Sequence, residues 1–187
     1  RGIGRYTESL VRNLLREPDG RRITLLFNGS FPSSVNRWRE LIAAEGWDVA
    51  VRVWHPPGAV SFCDPNNVTR TRIAEELYQT VVTPLEPDGL LVTSLFEGFV
   101  DDAVISLTDL GHIAVGVVHY DLVPWVNKAD YLDPNPSYAH FYHHRLIDLH
   151  EAGVLLAISD HSGQEVIRCL EIDPNKLMVT SGIGCAS

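Results

Sequence analysis

The residues that most constrain the fold of this chain are 113–125, which read IAVGVVHYDLVPW. An apolar run of this kind is typical of a strand in the middle of a parallel sheet, where helices cover both faces. The run ends in His119, Tyr120 and Asp121, and open α/β sheets bind ligands outside the carboxyl ends of their strands. Side chains alternate along an extended chain, so Tyr120 is expected to point away from its two neighbours. We therefore predict a buried strand that presents a histidine and an aspartate at its functional end.

Strand patterns and helix patterns alternate along the rest of the chain, which predicts a Rossmann-like, doubly wound α/β fold. Its mostly parallel sheet would carry helices on both faces. We read one domain over residues 1–187 and no internal repeats. The predicted strands lie at 23–29, 48–54, 89–94, from 113 onwards, 154–160 and 176–184, and the main helices follow residue 4, residue 34, residue 67, residue 136 and residue 163. Ser33 or Ser34 is expected to cap the second helix, and Ser162 with Glu165 to form a capping box for the last.

Composition excludes some functions. The formal net charge of -9 argues against a general nucleic-acid binder. No apolar stretch approaches the roughly 20 residues of a membrane-spanning helix. Cys63, Cys169 and Cys185 are scattered and show no zinc spacing, which favours reduced thiols in the cytoplasm.

His119 and Asp121 are the first candidate catalytic residues. A carboxylate beside an imidazole favours its protonated form and can orient it, so the pair could bind sugar hydroxyls or assist proton transfer. The alternative is structural: Asp121 caps the following loop, or the pair holds it.

Gly2 and Gly4 directly precede the first predicted helix, with Arg5 in its first turn. Glycines there let backbone N–H groups approach a phosphate, and the helix N-terminus adds partial positive charge. Arg5 is unfavourable against the helix dipole unless it faces an anion. The dinucleotide fingerprint is incomplete, because Thr7 stands at its third glycine position. A plain turn before a helix is the alternative.

A second group of polar residues lies near other strand ends. Glu97, Asp101 and Asp102 cluster beside a glycine, where paired carboxylates could contact substrate or cap the next element. Ser159 ends the fifth predicted strand and is a weaker substrate-binding candidate. His140 and His144 are four apart on a helix, a zinc-compatible spacing, but no acidic third ligand follows and we predict no metal site.

Several segments then resemble a known family. Residues 1–14 (RGIGRYTESLVRNL) are similar to the glycine-rich opening of family 4 retaining glycosyltransferases. Three further segments resemble its bacterial mannosyltransferase-like branch in the same order: 95–107, 117–126 and 155–167. Residues 173–184 resemble the stretch that leads out of the first domain. The resemblance implies the GT-B architecture, in which two Rossmann-like domains face each other across a cleft.

The resemblance implies that this chain is the N-terminal, acceptor-side half, with Gly2 and Gly4 near the donor phosphates and His119 and Asp121 near the transferred sugar. A GDP- or UDP-sugar would be the co-substrate, with no separate cofactor and no metal. A glycan or lipid-linked molecule would be the acceptor, and the chain's own C-terminal domain a partner. The complete enzyme would be cytoplasmic and able to associate peripherally with the inner face of the membrane.

Two departures from the family pattern accompany this interpretation. The paired glutamates of the C-terminal domain are absent, and so is the first strand of the N-terminal domain, which would precede Arg1. Loss of that strand should leave open backbone edges on its neighbours. The fragment alone is then expected to be inactive, with His119 and Asp121 exposed to solvent. The alternatives are a dinucleotide-binding domain of an oxidoreductase and a non-catalytic α/β interaction module.

Overall fold

The computed structural model describes residues 2–180 and contains seven α-helices and six β-strands within them. All strand pairs in this part of the chain are parallel. The predicted mixed α/β fold with parallel strands flanked by helices is therefore confirmed. The strands are β1 (Thr24–Asn28), β2 (Ala50–Trp54), β3 (Gly89–Val92), β4 (Ala114–His119), β5 (Val154–Ala157) and β6 (Leu177–Val179).

The long helices agree with the predicted helices in number and order. Short helices that were not predicted follow β4. Residues 68–82 form a helix at the predicted bounds, because apolar residues recur at helical spacing until the chain reaches Pro84. The helices are α1 (Gly2–Arg16), α2 (Pro32–Glu45), α3 (Val68–Val82), α4 (Val123–Val126), α5 (Lys128–Tyr131), α6 (Pro136–Glu151) and α7 (Asp160–Leu170).

The described strands form two sheets rather than the single sheet that was predicted. One contains β1 and β2, and the other has the order β3-β4-β5-β6. Within residues 2–180, β1 pairs only with β2, and β3 pairs only with β4. Each of these two strands therefore has one open edge, where backbone groups lack a strand partner.

A shared core joins the two sheets. Trp54 at the end of β2 packs edge-to-face on Tyr78 of α3, with ring centroids 5.7 Å apart. Leu26 of β1 and Leu90 of β3 pack against the same cluster. Burial of these large apolar side chains holds α3 between the sheets, since each contributes about 1.5–3 kcal/mol when fully removed from water.

A second core lies around β4 and β5. Val117 and Leu155 are fully buried at its centre, and α6 and α7 cover them with Leu149 and Val166. The near-continuous burial of β4 towards its carboxyl end explains why its sequence lacks alternation.

Some local predictions were wrong. Phe31, not a serine, precedes α2, which begins at Pro32 without a side-chain cap. Residues 95–107 form neither the short helix nor the strand that was expected. The polar loop predicted after residue 126 contains α5. The end of the last predicted strand, residues 181–184, lies outside the described residues, as do Arg1 and Cys185.

Two findings concern the whole described range. No helix within residues 2–180 combines the length and apolar character needed to cross a membrane. Cys63 and Cys169 are both free thiols.

Candidate active site at the carboxyl edge of the four-stranded sheet

The end of β4 is the centre of the candidate site. β4 lies between β3 and β5, and its last residue, His119, is paired in register with Ala157. Polar residues therefore do follow the strand directly, as predicted. The expectation that His119 is exposed is wrong: only 1% of it is accessible, whereas Asp121 is exposed. The strand ends at His119, so alternation no longer fixes the direction of Asp121.

Burial of His119 makes its imidazole chemically distinctive. Neither ring nitrogen has a hydrogen-bond partner within the described residues. Burial lowers the pKa of His119 below its usual 6.5, while the nearby charges of Glu165 and Asp121 partly oppose the shift. The ring is therefore neutral at neutral pH and keeps its hydrogen-bonding capacity free.

The turn after β4 is held by two carboxylates. Glu165 of α7 accepts a hydrogen bond from the backbone N–H of Leu122 at 2.8 Å, and Asp121 accepts one from the N–H of Val123 at 3.1 Å. Leu122 is fully buried, so Glu165 satisfies a donor that water cannot reach. Asp121 thus has the loop-capping contact considered as its alternative role, and its exposed carboxylate can still accept further bonds.

The capping box of α7 is not the predicted one. Ser159 is the N-cap, and Ser159 and Ser162 bond each other's backbone reciprocally. Glu165 lies one turn further along the helix and serves the β4 turn instead. Both spacings fit the sequence rule, but β5 already ends at Ala157, which places the cap earlier.

Tyr120 connects the end of β4 to α1. Its hydroxyl donates to the carbonyl of Thr93 at 3.0 Å and lies 3.2 Å from the hydroxyl of Thr7. Its ring packs edge-to-face on Tyr6, at 5.5 Å between centroids. Tyr6 in turn bonds Thr180, which follows β6. The start of α1 therefore lies across the carboxyl ends of β3, β4 and β6.

The charges of Glu97 and Asp121 both act on the phenol of Tyr138 in α6. Burial raises the pKa of the Tyr138 phenol, and the nearby charges of Asp121 and Glu97 raise it further. Both carboxylates therefore lie within electrostatic range of one phenol, although they are distant in sequence. Glu97 is exposed and accepts a hydrogen bond from Ser94 at 3.2 Å. The two carboxylates can therefore accept hydrogen bonds from hydroxyl donors.

Asp101 and Asp102 have structural contacts. Asp102 accepts backbone hydrogen bonds from Val60 at 2.7 Å and Ser61 at 3.2 Å. Asp101 accepts one from Ala103 at 2.9 Å. These bonds fix the loops that follow β2 and β3, and the predicted substrate role of both residues stays a prediction.

Gly2, Gly4 and Arg5 lie inside α1 rather than in a loop before it. All three are exposed, and the space beside both glycine α-carbons is open. The prediction that the two glycines precede the helix is therefore wrong, since both are part of its first turn. Arg5 takes part in none of the ion pairs found in residues 2–180.

The histidines of α6 form no metal site in the part of the chain that is described. His140 and His144 are exposed, and their rings lie edge-to-face at 4.7 Å. No three metal-ligating side chains converge within residues 2–180.

A cavity of about 460 Å³ lies at the opposite, amino edge of the four-stranded sheet. Glycine, alanine, valine and leucine residues line it, so it offers no ionisable or hydroxyl group. The candidate polar and ionisable side chains described above lie instead at the carboxyl edge. The residues there that the sequence did not reveal are Tyr6, Thr7, Thr93, Tyr138, Glu165 and Thr180.

Comparison with known proteins gives a consistent set of relatives. The chain is 28% identical over 192 aligned positions to a protein named serotype-specific mannosyltransferase WbdA from Escherichia coli, with 98% of the chain covered. Two further Escherichia coli proteins of that name are 27% and 26% identical, each across 94% of the chain. The chain spans 22% of the length of each of these relatives. No protein-family model and no solved structure matches it.

Proposed function

We propose that this chain is the N-terminal, acceptor-side domain of a retaining glycosyltransferase. The complete enzyme transfers a mannose-like sugar from a GDP- or UDP-sugar to a glycan or lipid-linked acceptor in surface polysaccharide assembly, including O-antigen. The observation that carries this proposal is similarity to proteins named mannosyltransferases along 94–98% of the chain. The chain spans 22% of the length of these relatives, which is compatible with a second, donor-binding domain in the complete enzyme.

The exposed carboxylates of Asp121 and Glu97 have the chemistry to hold sugar hydroxyls. An ionised carboxylate only accepts hydrogen bonds, and a sugar offers several hydroxyl donors. Both groups lie in electrostatic range of Tyr138. We assign Asp121 to the transferred or accepting sugar and Glu97 to its orientation.

His119 acts in this proposal as a buried neutral group behind the turn that carries Asp121, because only 1% of it is accessible. Burial keeps its pKa low, so it can donate or accept one hydrogen bond without a charge. Ser159 is engaged with Ser162, which leaves its part in binding secondary.

The exposed first turn of α1 is assigned to the donor phosphates. Gly2 and Gly4 leave open space for close approach of a phosphate, and Arg5 offers a cation. In the transition state the leaving nucleoside diphosphate gains charge, which fixed backbone N–H groups and cations stabilise without a metal. In this proposal the second domain supplies the other N–H groups and cations that bind the diphosphate, so the isolated chain is inactive.

A transfer assay on the complete protein tests the proposal. GDP- and UDP-sugars are offered in turn with a mannose-terminated oligosaccharide, and the anomeric configuration of the product is read by NMR. Transfer with retention supports the proposal, and inversion refutes the retaining mechanism. Micromolar affinity for NAD in calorimetry, with no sugar transfer, would instead support the oxidoreductase reading.

A further inference from the structure

A smaller cavity, of about 210 Å³, lies at the carboxyl ends of β1 and β2. Gly29 directly follows β1, and His55 directly follows β2. The remaining lining residues are Pro32, Val35, Asn36, Arg39 and Val53. Its size is below the roughly 300–1,000 Å³ of sites that enclose drug-sized ligands, so it suits a single headgroup.

The polar lining of this cavity is cationic or neutral. Asn36 and Arg39 are three residues apart on α2 and therefore share a helix face. His55 reaches the cavity from the other side, and no carboxylate is among the lining residues. Arg37 on the same helix pairs with Glu8, whereas Arg39 enters none of the ion pairs of residues 2–180.

The imidazole of His55 occupies space that a side chain at Gly29 would fill. A β-carbon at Gly29 would lie 2.1 Å from the nearest atom of the His55 ring. The backbone N–H of Gly29 also donates to the Trp54 carbonyl at 2.7 Å, which keeps the two strand ends together. The ring therefore packs close to the backbone of Gly29 and forms part of the cavity wall.

We propose that this cavity binds a phosphate group, with the Arg39 guanidinium as its main contact and Asn36 and His55 as further donors. A guanidinium matches phosphate geometry with two parallel N–H donors. The site lies on the β1–β2 sheet, whereas the proposed transfer site lies on the β3–β6 sheet. Failure of the transfer proposal therefore leaves this inference standing.

Equilibrium dialysis of radiolabelled inorganic phosphate against the complete protein tests the site. Arg39→Met keeps the apolar stem and removes the charge, and it should weaken binding at least about tenfold, since a hydrogen bond to a charged group contributes about 1.5–3 kcal/mol. Gly29→Ala should weaken binding as well by displacing the His55 ring. Arg72→Met, on the exposed face of α3, should leave this binding unchanged.

Two further probes identify the source of the phosphate. Vesicles of phosphatidylglycerol that bind wild type but not Arg39→Met, with phosphatidylcholine vesicles as control, indicate a lipid headgroup. A soluble sugar phosphate that competes with labelled phosphate indicates a free ligand. Non-saturable phosphate binding, or equal binding by wild type and Arg39→Met in a folded protein, would overturn the proposal.

Discussion

The hydroxyl groups of Tyr120 and Thr7 lie 3.2 Å apart and tie the end of β4 to the second turn of α1. Tyr120 also reaches the carbonyl of Thr93 after β3. One phenol therefore sets the distance between the first helix and two strand ends. The position of α1 over the candidate site depends on this contact.

Replacing Tyr120 by phenylalanine should destabilise the protein by about 1 kcal/mol, because two partners lose a hydrogen bond while the ring packing on Tyr6 stays. Urea denaturation measures the change. Tyr131→Phe is the matched control, since Tyr131 is 46% exposed. Equal stability of the two variants would contradict the role assigned to the Tyr120 hydroxyl.

His119 should make stability fall on the acid side. Its folded-state pKa is below the usual 6.5, so the unfolded chain takes up the proton first as the pH falls. The contribution is therefore present above pH 6.5 and is lost as the pH falls towards the lower folded-state pKa.

His119→Leu isolates that contribution. It removes two buried nitrogens without partners and should stabilise the fold by about 1 kcal/mol at neutral pH, with a gain that grows below pH 6.5. Denaturation curves at several pH values measure the difference between variant and wild type. A difference that does not change with pH would show that His119 is not the titrating group.

Two variants of Glu165 distinguish the effect of its hydrogen bond to Leu122 from the effect of its charge. Glu165→Gln keeps an acceptor oxygen and should change stability by less than about 0.5 kcal/mol. Glu165→Ala leaves the buried Leu122 N–H unsatisfied and should cost about 1–3 kcal/mol. Urea denaturation of both variants distinguishes them, and equal losses would indicate that the charge of Glu165 matters instead.

Gly98 should resist substitution more than Gly111. Gly98 has φ of 103°, and a β-carbon there would lie 2.4 Å from the carbonyl oxygen of Ala103. Gly98→Ala should therefore cost about 2–3 kcal/mol. Gly111 has φ of 63° with open space around it, so Gly111→Ala should cost about 1 kcal/mol. Thermal denaturation ranks the two, and the reverse order would refute the packing argument.

Local patterns in the sequence were enough to predict the alternating elements and the polar end of β4. The apolar run that stops at His119 fits a buried strand with a polar end and is too short for a membrane helix. The bounds of α3 could also be predicted, because its apolar residues recur at regular helical spacing.

The partners of the site residues could not be predicted, because they are distant along the chain. Glu165 bonds a residue 43 positions earlier, and Thr7 lies 113 positions from Tyr120. Spacing rules relate only residues that are close along the chain, so Glu165 was assigned to a local capping box. The burial of His119 depends on α7, and local sequence patterns do not predict where that helix packs.

The charge of Asp121 is the most direct test of the account. Asp121→Asn keeps an oxygen that can accept from Val123 but removes the charge and replaces the second acceptor oxygen by an NH2 donor, while Asp133→Asn makes the same change at an exposed aspartate in the loop before α6. The measurement is kcat/KM for sugar transfer by the complete protein. We expect a loss of about 100-fold or more for Asp121→Asn and none for Asp133→Asn. Unchanged transfer by a folded Asp121→Asn variant would contradict the placement of the active site at the end of β4.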